Sequence, residues 1–164
     1  MQYQRLIPLP LALLLLFVAG PACADSPDHP LTGHVAKVLP FFMDLKGQIA
    51  PSPSLFDRDA YQALLREHTN EISGLRFDVA WNAKNARNSS LTLRVELRGI
   101  GAGGLPRQTI LQTNVTPKIF HHWTSLTLAG ADYKKFGALS AWRATLWNGG
   151  QLLSEQKSFL WSPP

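Results

Sequence analysis

Cysteine is almost missing from this chain: there is one, Cys23, in 164 residues. An internal disulfide is therefore excluded, so the fold depends on a packed core rather than on covalent staples. No apolar run reaches the roughly 20 residues that a spanning helix needs. Clustered positive charge is also missing, because the basic residues are scattered and Lys134-Lys135 is their only adjacent pair. A nucleic-acid surface would gather such residues on one face, and no nucleic-acid partner is expected. There is no G-x-S-x-G, so the strained elbow of one large class of serine hydrolases is absent.

The N-terminus does carry a pattern. Arg5 precedes the apolar run Leu11–Ala19, Gly20-Pro21 breaks it, and Ala22-Cys23-Ala24 has the small-x-small form of a cleavage site. This order of parts predicts a secretory signal peptide over residues 1–24, cut after Ala24. The alternative of a lipidated Cys23 would require a large apolar residue just before it, where Gly20-Pro21-Ala22 stands. Cleavage after Ala24 removes Cys23 and leaves no thiol, which excludes Cys–His catalysis. It also leaves 15 basic and 11 acidic side chains, a net charge of +4. The expected location is exported, periplasmic or extracellular, with no stable membrane insertion after cleavage.

The remaining chain has the length of one ordinary domain. Residues 25–36 are polar and contain Pro27 and Pro30, and they predict a flexible leader. Val38–Leu45 reads as extended, with Pro40 confining it to a sheet edge or a strand start. Ser54 and Asp57 form an N-terminal cap. Beyond them Phe56, Ala60, Leu64 and Tyr61, Leu65 recur at helical spacing, predicting a helix over about 56–68.

From Gly74 the period becomes two. Leu75, Phe77, Val79 and Trp81 alternate with polar positions, as do Leu91, Leu93, Val95 and Leu97. If these two strands pair, Trp81 lies opposite Leu91, Asp78 faces Arg94 and Arg76 faces Glu96. Strands are also expected over Thr109–Val115 and Trp123–Leu128, with a helical turn at Asp132–Phe136. Leu139–Trp147 and Leu152–Trp161 flank Asn148-Gly149-Gly150, a strong hairpin signal.

About seven short strands predict an all-β antiparallel sandwich with one short N-terminal helix, occupying residues 37–164. The pattern over roughly 75–161 resembles an immunoglobulin or fibronectin III-like sandwich without the Cys-Trp-Cys framework. The stretches LTLRVELRG, WTSLTLAGADYKKFG and AWRATLWNGG are similar to those of exported bacterial proteins of unknown function. That resemblance implies location and fold class, and it carries no activity.

Candidate chemistry is sparse. Gly99, Gly101 and Gly104 have dinucleotide-loop spacing, but Leu105-Pro106 follows where a helix must start. Paired carboxylates can run glycosidic hydrolysis, but solvation of a helix surface is an adequate account of Asp57, Asp59, Glu67 and Glu71, which lie in or beside the helix. His121 and His122 are adjacent, so on a strand they point to opposite faces, and no metal or other cofactor is expected.

Tryptophan is the one unusual component. Trp142 and Trp147 are separated by an odd number of positions, so a regular strand turns one of them outward, near Arg143. Trp142, Arg143, Trp147, His121 and His122 are therefore the candidate binding residues. The leading expectation is a non-catalytic binding or structural module that engages a protein partner in the cell envelope. Glycan binding through outward aromatics and an unrecognised hydrolase are the alternatives.

Overall fold

The computed structural model describes residues 30–86, 89–117 and 122–162. In chain order these form β1 (Thr32–Asp44), α1 (Leu55–Glu67), a 3-10 turn (Thr69–Glu71), β2 (Ile72–Lys84), β3 (Leu91–Ile100), a 3-10 turn (Ala102–Gly104), β4 (Pro106–Val115), β5 (His122–Ala129), α2 (Gly130–Phe136), β6 (Ala138–Asn148) and β7 (Gln151–Lys157). The strands make two antiparallel sheets, one ordered β1-β2-β5 and the other β4-β3-β6-β7. This is an all-β sandwich. Its core comes from the alternating inward residues of both sheets, including Leu75, Phe77, Val79 and Trp81 from β2 and Leu91, Leu93, Val95 and Leu97 from β3.

Three expectations change here. The strands β2 and β3 lie in different sheets, so Asp78 does not face Arg94, nor Arg76 Glu96. Arg76 instead grips Asp78 two positions along its own strand, at 2.7 and 3.0 Å, while Glu96 accepts from Arg143 of β6 at 2.8 Å. Residues 32–36, expected in the leader, belong to β1, because Thr32–Val35 pair with Trp81–Lys84 and Val35 reaches the core. The last strand stops at Lys157, where the chain leaves the sheet.

Two edges of the sandwich are closed. At one, the Val35 N–H donates to Ser154 Oγ at 3.0 Å, joining β1 to β7 of the other sheet. Gly33 permits that approach, since a Cβ there would stand 2.8 Å from the Leu146 side chain. At the C-terminal half of β1, α1 covers the strand. Ser54 caps α1 by accepting from the Asp57 N–H, as expected, but the helix buries Gln62 and Leu65 and leaves Phe56 and Leu64 exposed. Gln62 occupies the edge of β1 as a surrogate strand. Its Oε1 accepts from the Phe42 N–H at 2.8 Å, and its Nε2 donates to the carbonyls of Phe42 and Ile49.

Beside this contact Asp44 locks the turn that leaves β1. Its carboxylate accepts from the N–H groups of Lys46 and Gln48 and from the Tyr61 hydroxyl, each at 2.8 Å. Burial alone would raise the Asp44 carboxyl. The hydrogen bonds from Gln48, Tyr61 and Lys46, with the Lys46 charge, together outweigh burial and hold it below the ordinary value of 3.8. The hydrogen bond to Asp44, then burial, raises the Tyr61 hydroxyl above its ordinary value. A depressed carboxyl stabilises the fold above its unfolded value and loses that contribution as pH falls through the folded one; a raised phenol loses its contribution as pH rises beyond about 10. Urea midpoints of the wild type should therefore fall below about pH 4 more steeply than those of Asp44→Asn. Parallel acid limbs would remove Asp44 as a source of the pH dependence.

Candidate functional site

The outer face of the four-stranded sheet carries an unusual column of side chains. Alternation along β3 puts Arg94, Glu96 and Arg98 outward, and β6 contributes Arg143, Thr145 and Trp147 to the same face. Arg94 lies over the Trp147 ring at 5.7 Å, and Trp161 covers Arg98 at 4.0 Å and Arg143 at 5.3 Å. The Nε atoms of Arg94, Arg98 and Arg143 are all buried without a hydrogen-bond partner. Facing an aromatic ring partly compensates a guanidinium for lost water, by about 0.5–2 kcal/mol per contact. Arg143 additionally binds Glu96 and lies 3.8 Å from Glu155.

The expected candidates are thus divided. Arg143 and Trp147 share this outer face. Trp142 lies on the opposite face of β6, half-buried and packed against the core, as the odd spacing requires. His122 belongs to the other sheet, where its ring packs 5.3 Å from Trp81. His121 and the cleavage residue Ala24 lie outside the described residues. Trp147 is not a free platform, since Arg94 lies over its ring and its Nε1 donates to Thr145 Oγ1 at 2.8 Å.

Two aromatic features escaped the sequence reading. Trp123 points outward from β5, 55% exposed, and an inspection of alternation on that strand would have found it. The second is the C-terminal segment. Ser158 pins it to β6, with its N–H donating to the Trp142 carbonyl at 2.9 Å and its Oγ accepting from the Trp142 N–H at 3.0 Å. Arg98 holds the far end by donating to the Ser162 carbonyl at 2.8 Å. Between these anchors the Trp161 N–H donates to the Ser158 carbonyl, closing a turn. Phe159 and Leu160 form its tip, 100% and 66% exposed. A groove of about 400 Å³ runs beside Trp161 and Arg98 toward Ile110 of β4.

Elsewhere, a groove of about 540 Å³ at one end of the sandwich includes Phe42, Ile72, Tyr133 and Leu139, where burial raises the Tyr133 hydroxyl. Among the described residues no three His, Cys, Asp or Glu side chains are placed to hold a metal ion, and no helix is long and apolar enough to cross a membrane. The chain matches no protein-family model, no curated protein and no solved structure.

Proposed function

We propose that this is an exported, non-catalytic binding or structural module that engages a protein partner in the cell envelope. The observation that carries this reading is the Phe159–Leu160 tip. Exposed apolar side chains on a loose tail lose much of their binding energy to ordering, whereas this tip is fixed on both sides before any partner arrives. Aromatic anchors of this kind dominate protein interfaces, and the column of arginines and tryptophans serves to hold the anchor in place. The apolar run and small-residue site of residues 1–24 support export. The division of strands supports the immunoglobulin or fibronectin III-like type. The first, second and fifth strands share one sheet and the third, sixth and seventh the other, as in constant-type immunoglobulin domains, with β4 joining the second group.

The test is cross-linked capture from the native envelope, comparing the wild type with the double variant Phe159→Ala/Leu160→Ala. One dominant protein should be captured, with retention reduced at least about tenfold in the double variant, the equivalent of roughly 1.4 kcal/mol. Intact mass of the recovered protein should begin at Asp25. Equal capture by a folded double variant would sink the anchor role. Retention on polysaccharide instead would transfer attention to glycan binding, with Trp123 as the exposed ring.

A further inference from the structure

An exposed strand edge presents unpaired N–H and C=O groups, and folded proteins blunt such edges with charges, bulges, proline or a covering element. The four edge strands of this sandwich differ in how they are treated. The edge of β1 is occupied by Gln62 of α1, and β1 is tied to β7 through Ser154. The strand β7 carries Glu155 and Lys157, and its pairing with β6 shifts register between Leu146↔Ser154 and Trp147↔Leu152. On the other flank β4 carries Pro106 and Arg107 at its first two positions and none of these devices beyond them. Its pairing with β3 runs without a shift from Ile100↔Pro106 to Leu91↔Val115. Residues 108–115 (QTILQTNV) contain no charge, proline or glycine, and Ile110 is 56% exposed in the middle. The other open strand, β5, is shorter and carries His122 at its start.

We infer that β4 pairs antiparallel with β4 of a second copy of this chain, about a two-fold axis through Leu111. The strand is self-complementary in that register. Leu111 meets its own copy, Thr109 meets Thr113, Ile110 meets Gln112 and Gln108 meets Asn114, which sets a favourable Thr–Thr pair twice and opposes no like charges. The pairing would continue the four-stranded sheet into its copy, independently of the Phe159–Leu160 anchor. Each copy carries net positive charge, so moderate salt should favour the dimer by screening the repulsion.

Cysteine cross-linking tests the register directly, using protein that begins at Asp25 and so has no thiol of its own. Residues directly opposite in an antiparallel pair have Cα atoms about 4.5–5.5 Å apart, within disulfide reach. Leu111→Cys should form a covalent dimer under mild oxidation. An equal mixture of Thr109→Cys and Thr113→Cys should give the mixed dimer, while each alone should give little, because its own copy lies four residues along the facing strand. The mixture keeps the test open if Leu111→Cys does not fold. Light scattering of the wild type should show a concentration-dependent dimer that Thr113→Lys reduces to monomer. A wild type that stays monomeric at its solubility limit, with no mixed cross-link, overturns the inference. So does a dimer that Thr113→Lys leaves intact. Neither result bears on capture of a different protein through Phe159 and Leu160, so the two proposals fail separately.

Discussion

Trp81→Ala should destabilise the fold by about 3–5 kcal/mol, the range for removing a fully buried large aromatic. Trp81 is 1% exposed and sits on β2, the middle strand of its sheet, with Val35 and His122 as its cross-strand neighbours. Its indole N–H donates to Thr124 Oγ1 of β5 at 2.9 Å. The ring therefore packs the core and ties two strands together. A domain of this size has about 5–15 kcal/mol of stability in total, so this one change would remove a large fraction of it. Trp81→Phe separates the two contributions. It keeps an aromatic ring and loses the hydrogen bond, and should cost about 1–3 kcal/mol from the unpaired hydroxyl and imperfect packing. Urea unfolding reads both, as a lower midpoint at unchanged slope. A loss below about 1 kcal/mol for Trp81→Ala would mean that the pocket collapses around the deletion, contrary to the close packing expected of such an interior.

Trp81 also marks how far the sequence carries. Its place in an alternating run made β2 readable as a strand with one buried face. What alternation does not contain is the identity of the neighbouring strand. Arg76 and Asp78 lie two apart on one face, so they satisfy each other and leave no charge signal to select a cross-strand partner. The connection 85–90 is long enough to cross the roughly 10 Å between packed sheets, and β3 forms on the far side.

The helix was visible from its cap and its period, yet its buried face was misread for a related reason. A hydrophobicity pattern counts Gln62 as polar, but its amide matches the donor and acceptor of Phe42 and also donates to the Ile49 carbonyl. Phe56 and Leu64, apolar and exposed, lie off that face. On β6 the odd spacing of Trp142 and Trp147 correctly separated their faces. The column's other tryptophan, Trp161, arrives from beyond the end of β7, and periodicity stops where a strand stops. The hairpin was the most legible feature, because Asn148↔Gln151 leaves only Gly149-Gly150 for the turn and Gly149 adopts φ +53°.

Gly137→Ala should cost about 2–6 kcal/mol, combining backbone strain of about 1–3 with overpacking of about 1–3. Gly137 follows α2 with φ 83° and ψ −144°, a conformation that side chains rarely adopt, while its N–H donates to the Tyr133 carbonyl at 2.8 Å. A Cβ at this position would stand 2.2 Å from the Ile100 carbonyl oxygen and 2.8 Å from the Gly101 Cα. Both obstacles are backbone, so no side chain can rotate away to make room. The comparison that isolates the clash is Gly130→Ala, where φ is +61° and nothing lies within 4 Å of the added atom. That variant should lose only about 1–2 kcal/mol, the cost of positive φ in a residue with a Cβ. Equal midpoints for the two variants would show that α2 can lift off the end of β3 without penalty. If the difference appears, Ile100 and Gly101 must yield in Gly137→Ala. The chain then passes through Ala102–Gly104 into Pro106 of β4, so the same variant should also weaken pairing at the open edge.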